Sequence, residues 1–147
     1  MNKKGFTIVE LIAVLTLMGI IITIAGVNVF KFRDRANIKA LNTKIDNILT
    51  ASELYVEKNS NDIVYKCENG VSSCICDEFS IVSANEKYNC MLKVQKLLDL
   101  GVYRENNKNS DSCIISNPTD ETACLENKNI SVEIFLNNNT AYAEMLD

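Results

Sequence analysis

Six cysteines are the residues of this 147-residue chain best suited to form cross-links or bind a metal. They are Cys67, Cys74, Cys76, Cys90, Cys113 and Cys124. An even number of cysteines confined to one small region indicates disulfides if that region is exported. A four-thiolate zinc site is the alternative, but Cys74-Ile75-Cys76 has one intervening residue where zinc sites usually have roughly two to four. We expect disulfides and no bound metal, with free thiols as a third state in a cell that lacks an oxidant.

The pairing of these cysteines is open, because six cysteines allow fifteen connectivities. We expect Cys113 to pair with Cys124, which closes a loop that contains the one proline. We expect Cys67 to pair with one of the two cysteines in Cys74-Ile75-Cys76, and Cys90 to take the other.

Histidine is absent, which excludes Ser-His-Asp and Cys-His catalysis and any metal site that uses imidazole. No P-loop, GxGxxG, nucleophile elbow or HExxH motif occurs. The doublets Asp77-Glu78 and Asp120-Glu121 could provide oxygen ligands for calcium, although solvated loop charge is the simpler interpretation. The chain is therefore not expected to be an enzyme or to need a cofactor.

The element that precedes this cysteine-containing region is a long apolar segment. Residues 11–30 contain no charge, and as a helix they would span roughly 30 Å, the thickness of a bilayer's hydrocarbon core. Basic residues flank the segment on both sides, at Lys3 and Lys4 and again at Lys31, Arg33 and Arg35. A cleaved secretory signal would have a shorter apolar stretch. A simple single-span anchor fits the length but does not explain the carboxylate at Glu10, which usually needs a partner in an apolar helix.

The N-terminal string Lys3-Lys4-Gly5-Phe6, followed by Glu10 and the apolar segment, resembles the prepilin leader of type IV pilins and pseudopilins. In that family a short basic leader ends in Gly and is removed. A Phe then becomes the new N-terminus, with Glu as mature residue five. This chain has each of these elements at the spacing that the family has.

The resemblance implies a processing route and an assembly role. A prepilin peptidase would cut between Gly5 and Phe6, and the new Phe6 amine would be N-methylated. Glu10 would neutralise the Phe6 amine of a neighbouring subunit in a homo- or hetero-polymer of pilins. The implied partners are the peptidase, an inner-membrane assembly platform and the cytoplasmic membrane, which the precursor would cross once before it joins an extracellular filament.

One local feature departs from the family. Pilins often have Pro at the position of Val27 and a second Pro about twenty residues later, and this chain has neither. Gly19 and Gly26 are the weak points of the helix, each costing about 1 kcal/mol relative to Ala. They either let the helix loosen on assembly or let helices pack closely.

The helix is predicted to run from residue 6 to residue 58, with residues 6–30 as transmembrane segment and filament core and residues 31–58 amphipathic. Apolar positions in the second half recur at intervals of three and four, which is a helical period. They begin at Ile38 and end at Tyr55, with Ser52 as the small polar member. This stripe is expected to pack on the head, residues 59–147, and residues 59–62 are expected to break the helix.

The head is predicted to mix strands with one helix. Residues 63–67, 79–83, 130–136 and 141–146 read as strands, with Asn residues 137–139 as a turn. Residues 86–100 read as a helix that Gly101 ends. The predicted class is therefore α+β: a long N-terminal helix on a small antiparallel sheet, as in pilins, with residues 1–5 as a cleaved leader.

Charge, like hydropathy, is distributed unevenly along the chain, and the acidic residues are concentrated in the head. The net charge is −4, and from residue 59 onward seven Lys/Arg face fourteen Asp/Glu. Such an acidic head is not expected to bind nucleic acid. The favoured function is a structural subunit of a type IV pilus that serves adhesion, motility or aggregation. The alternatives are a pseudopilin of a type II secretion or DNA-uptake machine and a membrane-anchored binding domain that does not polymerise.

Overall fold

The computed structural model of the chain describes residues 7–83, 87–105, 113–120 and 122–146. These residues form a long helix, a four-stranded antiparallel sheet, a short second helix and one 3-10 turn. The chain divides into two compact units, with the boundary between Lys39 and Ala40. The class is α+β, with a long N-terminal helix packed on a small sheet, as the sequence predicts.

The long helix, α1, is Ile8–Glu68, so it continues ten residues beyond the predicted end at residue 58. The polar residues 59–62, expected to break it, are helical because their side chains find partners. Ser60 is buried, and its hydroxyl donates to Oδ1 of Asn139 at 2.7 Å. Asn59 donates through Nδ2 to the carbonyl of Tyr55 at 2.7 Å.

The strand predicted for residues 63–67 is wrong, because these residues form the last turns of α1. Ile63 and Val64 are buried, and with Val56 and Ser60 they continue the helical stripe. A short apolar run has no period of its own that separates strand from helix, so the neighbouring turns of α1 decide its conformation.

The sheet is an antiparallel meander in which sequential strands are neighbours. Its strands are β1 (Glu78–Ser83), β2 (Lys87–Lys93), β3 (Asn129–Phe135) and β4 (Thr140–Met145). The strands predicted at 79–83, 130–136 and 141–146 are confirmed to within one residue. The predicted Asn turn is also confirmed, and Asn139 adopts a φ of 54° there.

The helix predicted over residues 86–100 is wrong in its first half, where β2 forms the second strand of the sheet. Its buried residues, Cys90 and Leu92, alternate with more exposed ones, which is the period of a strand. The helix α2 is only Val94–Asp99. Gly101 ends it as predicted, with a φ of 69° and a hydrogen bond from its N–H to the Leu98 carbonyl at 2.9 Å.

The core lies between the second half of α1 and one face of the sheet. In it, apolar side chains of α1 pack on those of β2, β3 and β4. Its main members are Ile48, Val56, Ile63, Cys90, Leu92, Ile130, Val132, Ile134 and Ala141. Ser52 is fully buried within the stripe, and its hydroxyl donates to the Leu49 carbonyl at 2.7 Å. The stripe therefore packs on the head as predicted, except that Ile38 is exposed.

The edge strand β4 is closed by two carboxylates from α1. The Ala143 N–H donates to Oε1 of Glu53 at 2.9 Å, and the Ala141 N–H donates to Oε1 of Glu57 at 3.2 Å. An uncovered edge strand offers such donors to other chains. Here the helix binds them, which also fixes the sheet against α1.

Candidate functional site

Glu10 lies in the first turn of α1 and forms a reciprocal cap with Thr7. The Thr7 N–H donates to Oε2 of Glu10 at 2.9 Å, and the Thr7 hydroxyl donates to the same oxygen at 3.0 Å. In return the Glu10 N–H donates to Oγ1 of Thr7 at 3.3 Å. This is a capping box, in which a Thr before the helix and a Glu three residues later satisfy each other's backbone donors.

Sequence reasoning found Glu10 but missed Thr7. The signal was present, because Thr7-Ile8-Val9-Glu10 followed by an apolar run is the T-x-x-E pattern of a helix start. Both bonds from Thr7 use Oε2 of Glu10. The carboxylate thus already has one role within its own helix.

The predicted cleavage residues Gly5 and Phe6 lie outside the described residues. The described chain begins at Thr7, directly after Phe6, so the capping box is adjacent in sequence to the expected new N-terminus. The cleavage, the N-methylation and the pairing of Glu10 with a neighbour's amine therefore stay predictions.

Beyond Glu10, the next turns of α1 present apolar side chains on all sides. The large apolar side chains between Ile8 and Ile22 are 48–77% exposed. The two threonines in this stretch donate to carbonyls of their own helix, Thr16 to Ala13 at 2.9 Å and Thr23 to Ile20 at 2.8 Å. Their hydroxyls therefore need no water. A helix with this surface requires cover by lipid or by other apolar helices.

A transmembrane segment was predicted for residues 6–30. Within the described part of the chain, no helix meets both the length and the mean hydropathy required of a membrane span.

Comparison with known protein families matches residues 1–26 to the family described as the prokaryotic N-terminal methylation motif. This motif is the prepilin leader signature of type IV pilins and pseudopilins. It implies processing by a prepilin peptidase and assembly into pilin polymers, and it indicates a structural subunit. No curated protein and no solved structure matches the chain.

All six cysteines form disulfides, in one of the two pairings that the sequence analysis left open. Cys67 is bonded to Cys74, which leaves Cys76 for Cys90, and Cys113 is bonded to Cys124. The first bond joins the last turn of α1 to the following loop, and the second joins that loop to β2.

The loop that contains Cys113 has an additional internal anchor. Glu126 is 6% exposed, and its two carboxylate oxygens accept the N–H groups of Ile114 at 2.8 Å and Ile115 at 3.0 Å. Lys44 donates to the Ser116 carbonyl at 3.1 Å. Sequence reasoning missed these contacts, because their partners are up to 72 residues apart along the chain.

The acidic doublets considered as calcium ligands lie in different parts of the head, and their aspartates have internal partners. Oδ1 of Asp77 accepts from Lys96 Nζ at 2.8 Å, which lowers the pKa of Asp77. Oδ1 of Asp120 accepts the Thr122 hydroxyl at 2.6 Å and the Thr122 N–H at 3.0 Å, and these bonds lower the pKa of Asp120. Both carboxylates are therefore used to fix loops.

Proposed function

We propose that this chain is a structural subunit of a type IV pilus. The observation that carries the proposal is that a prepilin leader signature is followed directly by a capped helix whose turns next beyond Glu10 are apolar all round. A cross-linked head follows on the same chain. A prepilin peptidase cuts between Gly5 and Phe6, and the Phe6 amine is N-methylated.

The apolar part of α1 anchors the precursor in the cytoplasmic membrane and then forms the core of the polymer. An exposed apolar surface of this extent is stable in lipid or against other copies of the same helix. An inner-membrane assembly platform moves each subunit from the first environment into the second. Adhesion, motility or aggregation are then properties of the extracellular filament.

Glu10 is the residue that selects the axial register of each incoming subunit. Within the described residues its Oε2 accepts both bonds from Thr7, and the proposal assigns Oε1 to the Phe6 amine of a neighbour. Opposite charges about 4 Å apart attract by about 4 kcal/mol at an effective dielectric constant near 20. An interaction of this size favours one register over others.

The second candidate is a pseudopilin of a type II secretion or DNA-uptake machine, because its N-terminus has the same signature. The acidic head disfavours direct contact with DNA. A membrane-anchored binding domain that never polymerises is a third candidate, which leaves Glu10 without an intermolecular partner.

Electron microscopy of cells with and without the gene tests the proposal, with gold-labelled antibody against residues of the head. Pilus function predicts long surface filaments that bind the label along their length and disappear with the gene. Label confined to the cell envelope, with surface filaments unchanged on deletion, would instead support a pseudopilin or a simple anchor.

A further inference from the structure

Four of the six sulfur atoms form one cluster at the end of α1. The disulfides Cys67–Cys74 and Cys76–Cys90 lie side by side, with Sγ of Cys67 3.6 Å from Sγ of Cys76. The Sγ atoms of Cys67, Cys74 and Cys76 all lie within 4.8 Å of one another. Cys90 is covalently attached to this group through Cys76.

The 3.6 Å separation between the two disulfides, from Sγ of Cys67 to Sγ of Cys76, is close to the distance between neighbouring sulfurs in a metal tetrathiolate. Zinc binds thiolate sulfur at about 2.3 Å in a tetrahedron, which sets neighbouring sulfurs about 3.8 Å apart. Cys90 is fully buried in β2 and offers a fixed ligand, whereas the other three are half-buried and reachable from solvent. A metal ion and a reductant can therefore approach from the loop side.

The loop that carries two of the cysteines is also held by bonds that do not involve sulfur. Lys96 Nζ donates to the Ile75 carbonyl at 2.9 Å and to Oδ1 of Asp77 at 2.8 Å. It is therefore bonded to the residue before Cys76 and to the residue after it. The Asp77 N–H donates to the Met91 carbonyl at 2.6 Å. These contacts hold Cys76 beside β2 through bonds that reduction of the disulfides does not remove.

We propose that the reduced protein binds one zinc ion through Cys67, Cys74, Cys76 and Cys90. Two molecules of a dithiol reduce the two disulfides to four thiols and are themselves oxidised to two disulfides. Zinc then displaces four protons, which pass to solvent, and the four thiolates coordinate it.

The consequence is a head whose cross-link survives a change of redox conditions. In oxidising surroundings two disulfides join α1, the loop and β2, and in reducing surroundings one metal ion joins the same elements. The inference does not depend on filament assembly.

The remaining disulfide is an internal control. Among the described residues, the potential metal ligand grouped with Cys113 and Cys124 is the carboxylate of Glu126, which already accepts two backbone N–H groups. The third disulfide is therefore not expected to yield a stoichiometric zinc site when it is reduced.

The full chain, purified in detergent and reduced with a phosphine that competes weakly for zinc, tests the proposal. Excess maleimide is added with and without zinc, and the attached groups are counted by intact mass. Zinc should lower the count by four, a chelator should restore it, and dialysed reduced protein should retain one zinc per chain. An equal count with and without zinc, or no retained zinc, would overturn the proposal.

Two double variants locate the site. Cys113→Ser/Cys124→Ser should keep one zinc per chain, and Cys67→Ser/Cys74→Ser should lose it. Zinc retained by the second variant would show that the ion binds elsewhere and would reject the assignment. The wild-type count decides the question even where a variant fails to fold.

Discussion

At the scale of single residues, Glu10 has two possible roles that can be separated by substitution. It caps its own helix through Thr7, and in the proposed polymer it also neutralises an amine. A Gln at the same position retains the capping geometry but has no charge. The two roles therefore predict different behaviour for the amide and for a variant that removes the cap alone.

We expect Glu10→Gln and Glu10→Ala to be cleaved normally and both to fail to form filaments. Removing one partner of a buried ion pair costs about 3–5 kcal/mol, here at each subunit contact. Thr7→Ala removes the cap, which costs about 0.5–2 kcal/mol, but keeps the charge and should assemble. Immunoblots of precursor and mature bands, with shear-released filaments, give both results. Normal filaments from Glu10→Gln would show that Glu10 acts only as a cap.

In the proposed function, Gly5 is needed for processing and not for assembly. A bulky side chain at the last leader residue should not fit a peptidase that grips the chain there, so Gly5→Val should accumulate as uncleaved precursor. Gly5→Ala, which adds one methyl group, should be cleaved more slowly than wild type but to the same product. Mature protein of normal abundance from Gly5→Val would place the cleavage site elsewhere.

At the scale of elements, substitutions in α1 can separate the two explanations of its glycines, which are loosening of the helix on assembly and close packing between helices. The helix is continuous through Gly19 and Gly26, and a Cβ added at either position would meet nothing within 4 Å in the isolated chain. Any steric effect of a side chain there must therefore come from another copy.

We expect Gly19→Ala to be processed normally, since Ala favours a helix by about 1 kcal/mol over Gly. If the glycine serves close helix packing, the same variant should form few filaments, because the methyl group separates helices that touch. Gly70→Ala is not a suitable control, since Gly70 has a φ of 63°; Ser72→Ala, at an exposed loop position, is. Normal filaments from Gly19→Ala would exclude close packing at this position.

The contacts of Glu53 and Glu57 with β4 predict a second element-scale effect. Glu53→Ala/Glu57→Ala leaves two half-buried N–H groups unpaired, at a cost of about 1–3 kcal/mol each. The free energy of unfolding in urea should fall accordingly, and aggregation should increase because the edge strand is uncovered. Glu144→Ala, on the exposed face of the same strand, should change neither. Equal stability of the two variants would contradict the role of the glutamates.

The elements also show how far the sequence alone predicts this molecule. Hydrophobic period predicted α1, and Asn residues 137–139 predicted the β3–β4 turn. The three wrong assignments, a helix break at 59–62, a strand at 63–67 and a helix over the first half of 86–100, are short segments whose conformation depends on distant partners. Ser60 forms a hydrogen bond with Asn139, which keeps its segment helical, and β2 is a strand because it pairs with β1 on one side and β3 on the other. No local pattern specifies such contacts, and the partners of Glu53 and Glu57 lie 90 and 84 residues away.

At the scale of the whole molecule, the head has few cations available for a polyanion. In the described residues, four lysines are paired with carboxylates: Lys44 with Glu105, Lys66 with Asp62, Lys87 with Glu133 and Lys96 with Asp77. In each pair a carboxylate already neutralises the lysine that a DNA phosphate would otherwise bind. Each pair also uses one carboxylate, so the acidic excess itself is unchanged while fewer lysines are available to phosphates.

We expect the full chain in detergent to show no binding to duplex DNA at micromolar concentration and physiological salt. Affinity for DNA depends on Lys and Arg neutralising phosphates and releasing counterions. Fluorescence anisotropy over a salt series measures this. Micromolar binding that weakens steeply with salt would favour the DNA-uptake alternative.

The disulfides at the end of α1 also set a mechanical limit. A fully extended backbone from Cys67 to Cys90 would reach roughly 80 Å. Through the two disulfides, whose Cα atoms are 5.0 and 5.3 Å apart, the same ends are joined by a path of roughly 17 Å. Tension that enters the head along α1 is therefore passed to the central strand β2 after very little stretching, and the intervening loop cannot unravel under load.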